Sequence, residues 1–282
     1  MLQLVIHGGA GNLEGETAEA QHIHQSLCRI WEKTFEILKK KTAEEAVIHG
    51  IRLLEDDPVF NAGTGSKLQA DGEVRMSAAL MDGVKNRFSG VINVQNIRFP
   101  IEAAALLSKE NNKVLSADQA TKFCRKHGFD EHNPVTLARL QEFEQKCSGT
   151  NGTVGIVALD NKENIISGTS TGGIGHETPG RVSDSPTVAG TYASSKAGVS
   201  CTGVGEQITQ QAAAAKIVTR VEDGMSLHES VSKTMVESNY FNYSFGLISL
   251  DVNGHIEVGK TAALDQVFYA YHNGEDIKTF YN

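Results

Sequence analysis

Apolar residues recur at helical spacing through the first part of the chain. Ile23, Leu27, Ile30 and Trp31, then Phe35 and Leu38, fall on one helix face. Val47, Ile51 and Leu54 mark a second helix after Thr42, an N-cap with Glu45 three residues on, and Asp56-Asp57-Pro58 stops it. Leu2–Ile6, Val74–Met81 and Ser89–Val94 are short apolar runs of strand type. The first of them leads into His7-Gly8-Gly9-Ala10-Gly11-Asn12. A phosphate-cradling loop needs a helix at once and a G-x-G-x-x-G pattern; here a polar stretch from Glu14 to Ala20 intervenes, so the reading is a tight structural turn near a site. Pro100 opens a helix from Ile101 to Leu107, and another, Ala117–Lys126, leads into a polar, aperiodic stretch ending at Thr153.

Beyond Thr153 the pattern changes to strands. Gly155–Leu159 and Ile165–Thr171 flank a turn and read as a hairpin, and Gly246–Leu250 with His255–Gly259 repeat that plan. Between them lie a loop from Gly172 to Val188, a strand near Ala197–Thr202 and one long helix from Gln207 to Glu222, whose Ala212–Ala215 run permits close approach to a sheet. This order predicts two sheets between helical layers, in one domain with no disordered linker.

Composition narrows the function classes. The 282 residues can bury a sizeable core. With 26 basic against 34 acidic residues the net charge is −8, and no basic cluster offers a nucleic-acid footprint; Lys39-Lys40-Lys41, beside Glu36, Glu44 and Glu45, reads as a solvated helix face. Cys28, Cys124, Cys147 and Cys201 are too scattered for a metal site and suit reduced thiols. The start of the chain is too short for a signal peptide and no stretch suits a bilayer, so the expectation is a cytoplasmic protein without membrane or nucleic-acid partners.

The candidate chemistry gathers around Gly152-Thr153, at the junction of the polar stretch and a buried strand. A hydroxyl there can attack the preceding carbonyl, split the chain and leave Thr153 as a new N-terminus. Its free amine, with an ordinary pKa of about 7.7 to 8, can then serve its own hydroxyl as base. Thr169-Ser170-Thr171-Gly172-Gly173 and Cys201-Thr202-Gly203-Val204-Gly205 add hydroxyls and N–H groups beside glycine, as an acyl-transfer site needs. Pro179-Gly180-Arg181-Val182-Ser183-Asp184-Ser185-Pro186 sets an Arg and an Asp three apart between prolines, a pair suited to the α-carboxylate and α-amine of an amino acid, or to a surface salt bridge. His7, His176 and His272 are candidate bases only if they reach the site, and no zinc-binding spacing is present.

Seven blocks in order resemble the isoaspartyl peptidase/plant-type L-asparaginase group of N-terminal-nucleophile hydrolases. They are His7–Gly11, Phe60–Gly63, Met81–Gly83, Gly152–Gly155, Thr169–Gly173, Pro179–Val182 and Ser200–Glu206. The resemblance implies an α/β fold, a four-layer α-β-β-α sandwich, built from residues 1–152 as an α-subunit part and 153–282 as a β-subunit part after cleavage between Gly152 and Thr153. It implies Thr153 as nucleophile hydrogen-bonded by Thr171, an oxyanion hole of Thr202 and Gly203, substrate held by Arg181 and Asp184, and Asn61 near the reacting carbonyl. It further implies hydrolysis of β-aspartyl dipeptides and L-asparagine through an acyl-enzyme, no organic cofactor, and a homodimer of αβ units. In such relatives a loop of carbonyls holds a monovalent cation, usually sodium; here the loop maps to Leu54, Glu55, Asp57, Phe60, Ala62 and Thr64.

This chain departs from the family pattern at Arg75-Met76-Ser77-Ala78, where Glu-Leu-Asp-Ala is usual. Ser183 replaces a common Gly, Thr178 a frequent Lys, and the segment before Thr153 is short. These positions bear on substrate range and cleavage rate and remove no residue assigned to the chemistry. Two other readings stay open: a Thr-nucleophile hydrolase of glycosylasparagine or another substrate, and an uncleaved, inactive family member acting as a binding protein.

Overall fold

The computed structural model describes residues 1–11, 18–145 and 152–281. In chain order its elements are β1 (Gln3–Gly11), α1 (Ala18–Leu38), α2 (Ala43–Asp56), β2 (Met76–Asp82), β3 (Arg87–Val94), α3 (Pro100–Leu107), β4 (Val114–Ser116), α4 (Ala117–Lys126) and α5 (Leu137–Glu144). There follow β5 (Val154–Leu159), β6 (Ile165–Thr171), β7 (Thr191–Ala193), β8 (Ala197–Gly203), α6 (Gly205–Gln211), α7 (Ala213–Glu222), α8 (Leu227–Tyr240), β9 (Phe245–Asp251), β10 (Ile256–Lys260), β11 (Gln266–His272) and β12 (Ile277–Thr279). Among the described residues the strands form an eight-stranded sheet, β12-β11-β1-β5-β6-β2-β3-β4, and a four-stranded sheet, β10-β9-β8-β7. Both predicted hairpins are present as antiparallel pairs, β5 with β6 and β9 with β10.

Strand parity explains how the elements stack. Successive side chains on a strand point to opposite faces, and in β5 both faces are buried. Val154, Ile156 and Ala158 join one apolar core with Leu27, Trp31, Val47 and Ile51 of α1 and α2. Val157 and Leu159 face the other way, into a core shared with Ile248 and Leu250 of β9. A third core sets Val199 and Leu247 against Ile217, Val218 and Val231 of α7 and α8. The structure is thus a mixed α/β arrangement in which α1–α4 pack on the large sheet, α7 and α8 on the small one, and the sheets meet chiefly through β1, β5 and β6 against β8 and β9.

Local signals hold where they are strong. Glu45 N–H donates to Thr42 Oγ1 and Thr42 N–H to Glu45 Oε2, each over 3.2 Å, closing the capping box of α2. Elsewhere the structure corrects the sequence reading. The His7–Gly11 segment continues β1, with a register break between His7 and Ala10, instead of turning. The expected 207–222 helix is two helices, because Ala212 adopts a left-handed φ of 49° between α6 and α7. Lys39–Lys41 lies in the α1–α2 connection, exposed and paired with Glu36 and Glu45. The predicted polar stretch before Thr153 contains α5, a helix with no buried residue. Asn12, the polar residues 14–17, Cys147 and the lead-in at 146–151 lie outside the described residues. No helix among the described residues is long and apolar enough to cross a membrane.

Candidate active site

The parity that puts Val157 between the sheets puts Thr153 there too, just before β5 begins. Thr153 is 8% exposed. Its Oγ1 stands 3.0 Å from Thr171 Oγ1 on the neighbouring β6. Gly173 N–H donates to Thr171 Oγ1 over 3.1 Å, which leaves the Thr171 hydroxyl hydrogen free to point at Thr153. Asn61 ties both sides of this pair together. Its N–H donates to the Gly152 carbonyl over 3.2 Å, its carbonyl accepts from Gly172 N–H, and its Nδ2 donates to the Gly173 carbonyl over 2.7 Å. The carbonyl immediately before Thr153 is therefore polarised by a fixed donor.

Arg181 and Asp184 sit between two proline turns. In Thr178-Pro179-Gly180-Arg181 the Arg181 N–H donates to the Thr178 carbonyl over 3.0 Å, and Gly180 has a φ of 88°, as a type II turn with Pro at its second position requires. In Asp184-Ser185-Pro186-Thr187 the Thr187 N–H and hydroxyl both donate to the Asp184 carbonyl. The pair faces the end of β8: a Cβ on Gly205 would lie 2.7 Å from Asp184 Oδ1 and 2.8 Å from Arg181 Nη2, so only glycine admits both groups there. Burial pushes the Asp184 carboxyl up to about 7, against the opposing pull of Arg181. Among the described residues its Oδ2 has no hydrogen-bond partner, and neither has Thr202 Oγ1 at the end of β8. Two buried polar atoms left without partners mark positions that a ligand's donor and acceptor groups can fill.

The sequence departures feed this same turn. Ser77 Oγ accepts from Asn93 N–H, whose Nδ2 donates to the Arg181 carbonyl. Arg75 Nη1 and Gly180 N–H both donate to Gln69 Oε1. The sequence reading gave no role to Glu206, which grips Arg181 in a bidentate pair, Nε to Oε1 at 2.6 Å and Nη2 to Oε2 at 2.9 Å. An acid at a helix start carries no local signal that it faces an Arg twenty-five residues earlier. Of the histidines, His7 is buried between the sheets, His176 stacks on Phe143, and His272 stacks on Trp31.

Leu54, Glu55, Asp57, Phe60, Ala62 and Thr64 fold into one compact turn at the end of α2, closed by Thr64 N–H to the Glu55 carbonyl at 2.7 Å and Phe60 N–H to the Asp57 carbonyl at 3.1 Å. Pro58 has no N–H to offer the Leu54 carbonyl four residues back. The Glu55 side chain is buried, accepting from Ser170 Oγ and Ile101 N–H, and burial holds its carboxyl well above the usual range. No group of three or more His, Cys, Asp or Glu among the described residues is placed to hold a metal.

The family model described as asparaginase matches residues 1–151 and 141–281, so nearly the whole chain. The chain belongs to the asparaginase family. It is similar to the isoaspartyl peptidase/L-asparaginase of Nostoc sp., 43% identical with 98% of this chain and 93% of the relative covered. It is similar also to the plant-type L-asparaginase of Pyrococcus horikoshii, at 33% identity over 96% of each chain. The isoaspartyl peptidase of Salmonella typhimurium is 33% identical over 90% of each. Thr153, Thr171 and Arg181 lie in the blocks that carried the resemblance, and Asp184 follows two residues after the Pro179–Val182 block.

Proposed function

We propose that this chain is a self-cleaving amidohydrolase with a threonine nucleophile, acting on β-aspartyl dipeptides and L-asparagine. The observation that carries the reading is the Thr153–Thr171 hydroxyl contact beside the Gly152 carbonyl, itself held by the Asn61 N–H. In maturation Thr153 Oγ1 attacks the Gly152 carbonyl carbon, the C–N bond breaks, and the hydroxyl proton ends on the departing nitrogen. That nitrogen is now the Thr153 α-amine, and water hydrolyses the ester to release residues 1–152 from 153–282. The Asn61 N–H stabilises the oxyanion of this step.

In turnover the free amine takes the Thr153 hydroxyl proton as Oγ1 attacks the side-chain carbonyl of a β-aspartyl group. Thr202 Oγ1 and Gly203 N–H receive the oxyanion, and a typical donor of this kind contributes roughly 3 to 4 kcal/mol to lowering the barrier. Ammonia or an amino acid leaves with the proton, and water hydrolyses the acyl-enzyme. Arg181 holds the substrate α-carboxylate and Asp184 its α-ammonium, with Glu206 steering the guanidinium. No organic cofactor enters these steps. The turn from Leu54 to Thr64 suits a monovalent cation such as sodium through its backbone carbonyls, which would brace Asn61. The layering of helices and sheets is, in this reading, the four-layer α-β-β-α sandwich, assembling as a homodimer of αβ units in the cytoplasm.

The test is to incubate the cleaved protein with a β-aspartyl dipeptide and, separately, L-asparagine, and to assay the freed amino acid and ammonia. Both are expected to be released, the dipeptide reacting faster. Fully cleaved protein that releases neither contradicts the assignment.

A further inference from the structure

The space between the sheets changes character along the strands. At one end it is apolar, with Val5, Val157, Ile165 and Ala193. At the other, the same parity places His7 of β1, Thr169 of β6, Ser200 of β8 and Thr191 of β7, all fully buried. These four side chains form a continuous chain. His7 Nε2 lies 2.9 Å from Ser200 Oγ, Ser200 Oγ 2.7 Å from Thr169 Oγ1, and Thr169 Oγ1 2.5 Å from Thr191 Oγ1. Thr191 Oγ1 reaches the Ser185 carbonyl at 2.8 Å.

The last contact fixes one end of the chain. A carbonyl only accepts, so the Thr191 hydroxyl is the donor there, as it is in its contact with Thr169, whereas the Thr169–Ser200 and Ser200–His7 contacts can run either way. The two ends touch the candidate site. His7 pairs with Gly155, two residues after Thr153, and any side chain at Gly155 would overlap both the ring and Ser200 Oγ. Ser185 follows Asp184 directly.

We propose that His7, Ser200, Thr169 and Thr191 form a hydrogen-bonded strut that fixes the Thr153 strand against the Arg181–Asp184 loop, with Thr191 a positioning residue. The functional meaning rests on the reading of Thr153 and of the Arg181–Asp184 pair given above; the strut's contribution to stability does not. Burial lowers the His7 ring to about 3, the Thr153 backbone opposing, so the ring stays neutral.

Two measurements separate the strut from the function. Thermal unfolding reads the strut without turnover: Thr191→Val is expected to melt a few degrees below the wild type, the loss of about one buried hydrogen bond, and Thr191→Ser to melt close to it. A Val variant that melts with the wild type overturns the proposal, whatever the enzyme does. Kinetically, Thr191→Val deletes the terminal donor at nearly constant volume, whereas Thr191→Ser keeps it. The Val variant is expected to raise KM roughly tenfold, the loss of about one hydrogen bond, with a smaller change in kcat, and Ser to restore KM to within about twofold. A Val variant with wild-type KM, or a Ser variant as impaired as Val, also overturns it. Absence of turnover in the cleaved wild type indicts the functional reading and leaves the melts to judge the strut.

Discussion

Thr153→Ala is expected to yield a single uncleaved chain with no measurable amide hydrolysis. The substitution removes the attacking oxygen of both maturation and turnover while leaving the strand in place, since among the described residues the Thr153 side chain bonds to Thr171 alone. In enzymes with a covalent nucleophile, deleting that group costs on the order of 10⁴- to 10⁶-fold in kcat. Thr153→Ser keeps an oxygen and is expected to cleave, more slowly, because the smaller side chain loses the methyl that locks its rotamer. Electrophoresis over days and a sensitive amine assay check both variants. Cleavage of the Ala variant at 152/153 assigns the attack to another group and removes Thr153 from the mechanism.

The second large effect belongs to Asp184. Its carboxyl titrates near 7 in the folded protein against 3.8 for an exposed aspartate, because burial outweighs the neighbouring Arg181. The folded state therefore retains a proton that the unfolded chain gives up across that interval, and stability falls as pH rises from about 4 to about 7, staying reduced above. Asp184→Asn removes this penalty. Its Tm is expected to exceed that of the wild type at pH 8 and to approach it at pH 4, a difference on the order of a few kcal/mol at the alkaline end. The same change deletes the counter-charge for a substrate ammonium, so KM is expected to rise roughly 100-fold, in line with loss of a buried charge-assisted contact. Wild-type KM is expected to fall as pH rises through 7. Thermal melts and steady-state kinetics across that range check the pair of effects; a variant with unchanged KM removes Asp184 from the binding site.

Much of this arrangement is legible in the residues because its causes are local. The Thr42/Glu45 capping box, the Pro58 stop and the Thr178–Arg181 turn depend on neighbours a few positions apart. Alternation along β5 and β6 likewise fixes which face carries Thr153, Thr169 and Thr171. The misses have non-local causes. Whether His7-Gly8-Gly9 turns or bulges is decided by β5 and β11 on either side of it. Ala212 breaks its helical run even though alanine favours helix, and Ala214 N–H then donates to the Ala189 carbonyl, a tertiary contact. Helix α5 is a single short stretch with a weak apolar signal: Leu137 and Leu140 are exposed, while Phe143 stacks on His176 and Arg139 anchors the helix by donating to the Gly65 carbonyl. Glu206 and the His7 strut depend on how two sheets meet, which no single stretch encodes.

The most direct test of the central claim is the intact mass of the purified wild-type protein during incubation, with N-terminal sequencing of the products. Two fragments are expected, the second beginning Thr-Val-Gly at residue 153, with amidohydrolase activity rising as the intact chain disappears. A folded protein that stays a single 282-residue chain after prolonged incubation, or that is cut elsewhere, contradicts the claim that Thr153 is freed to act as an N-terminal nucleophile.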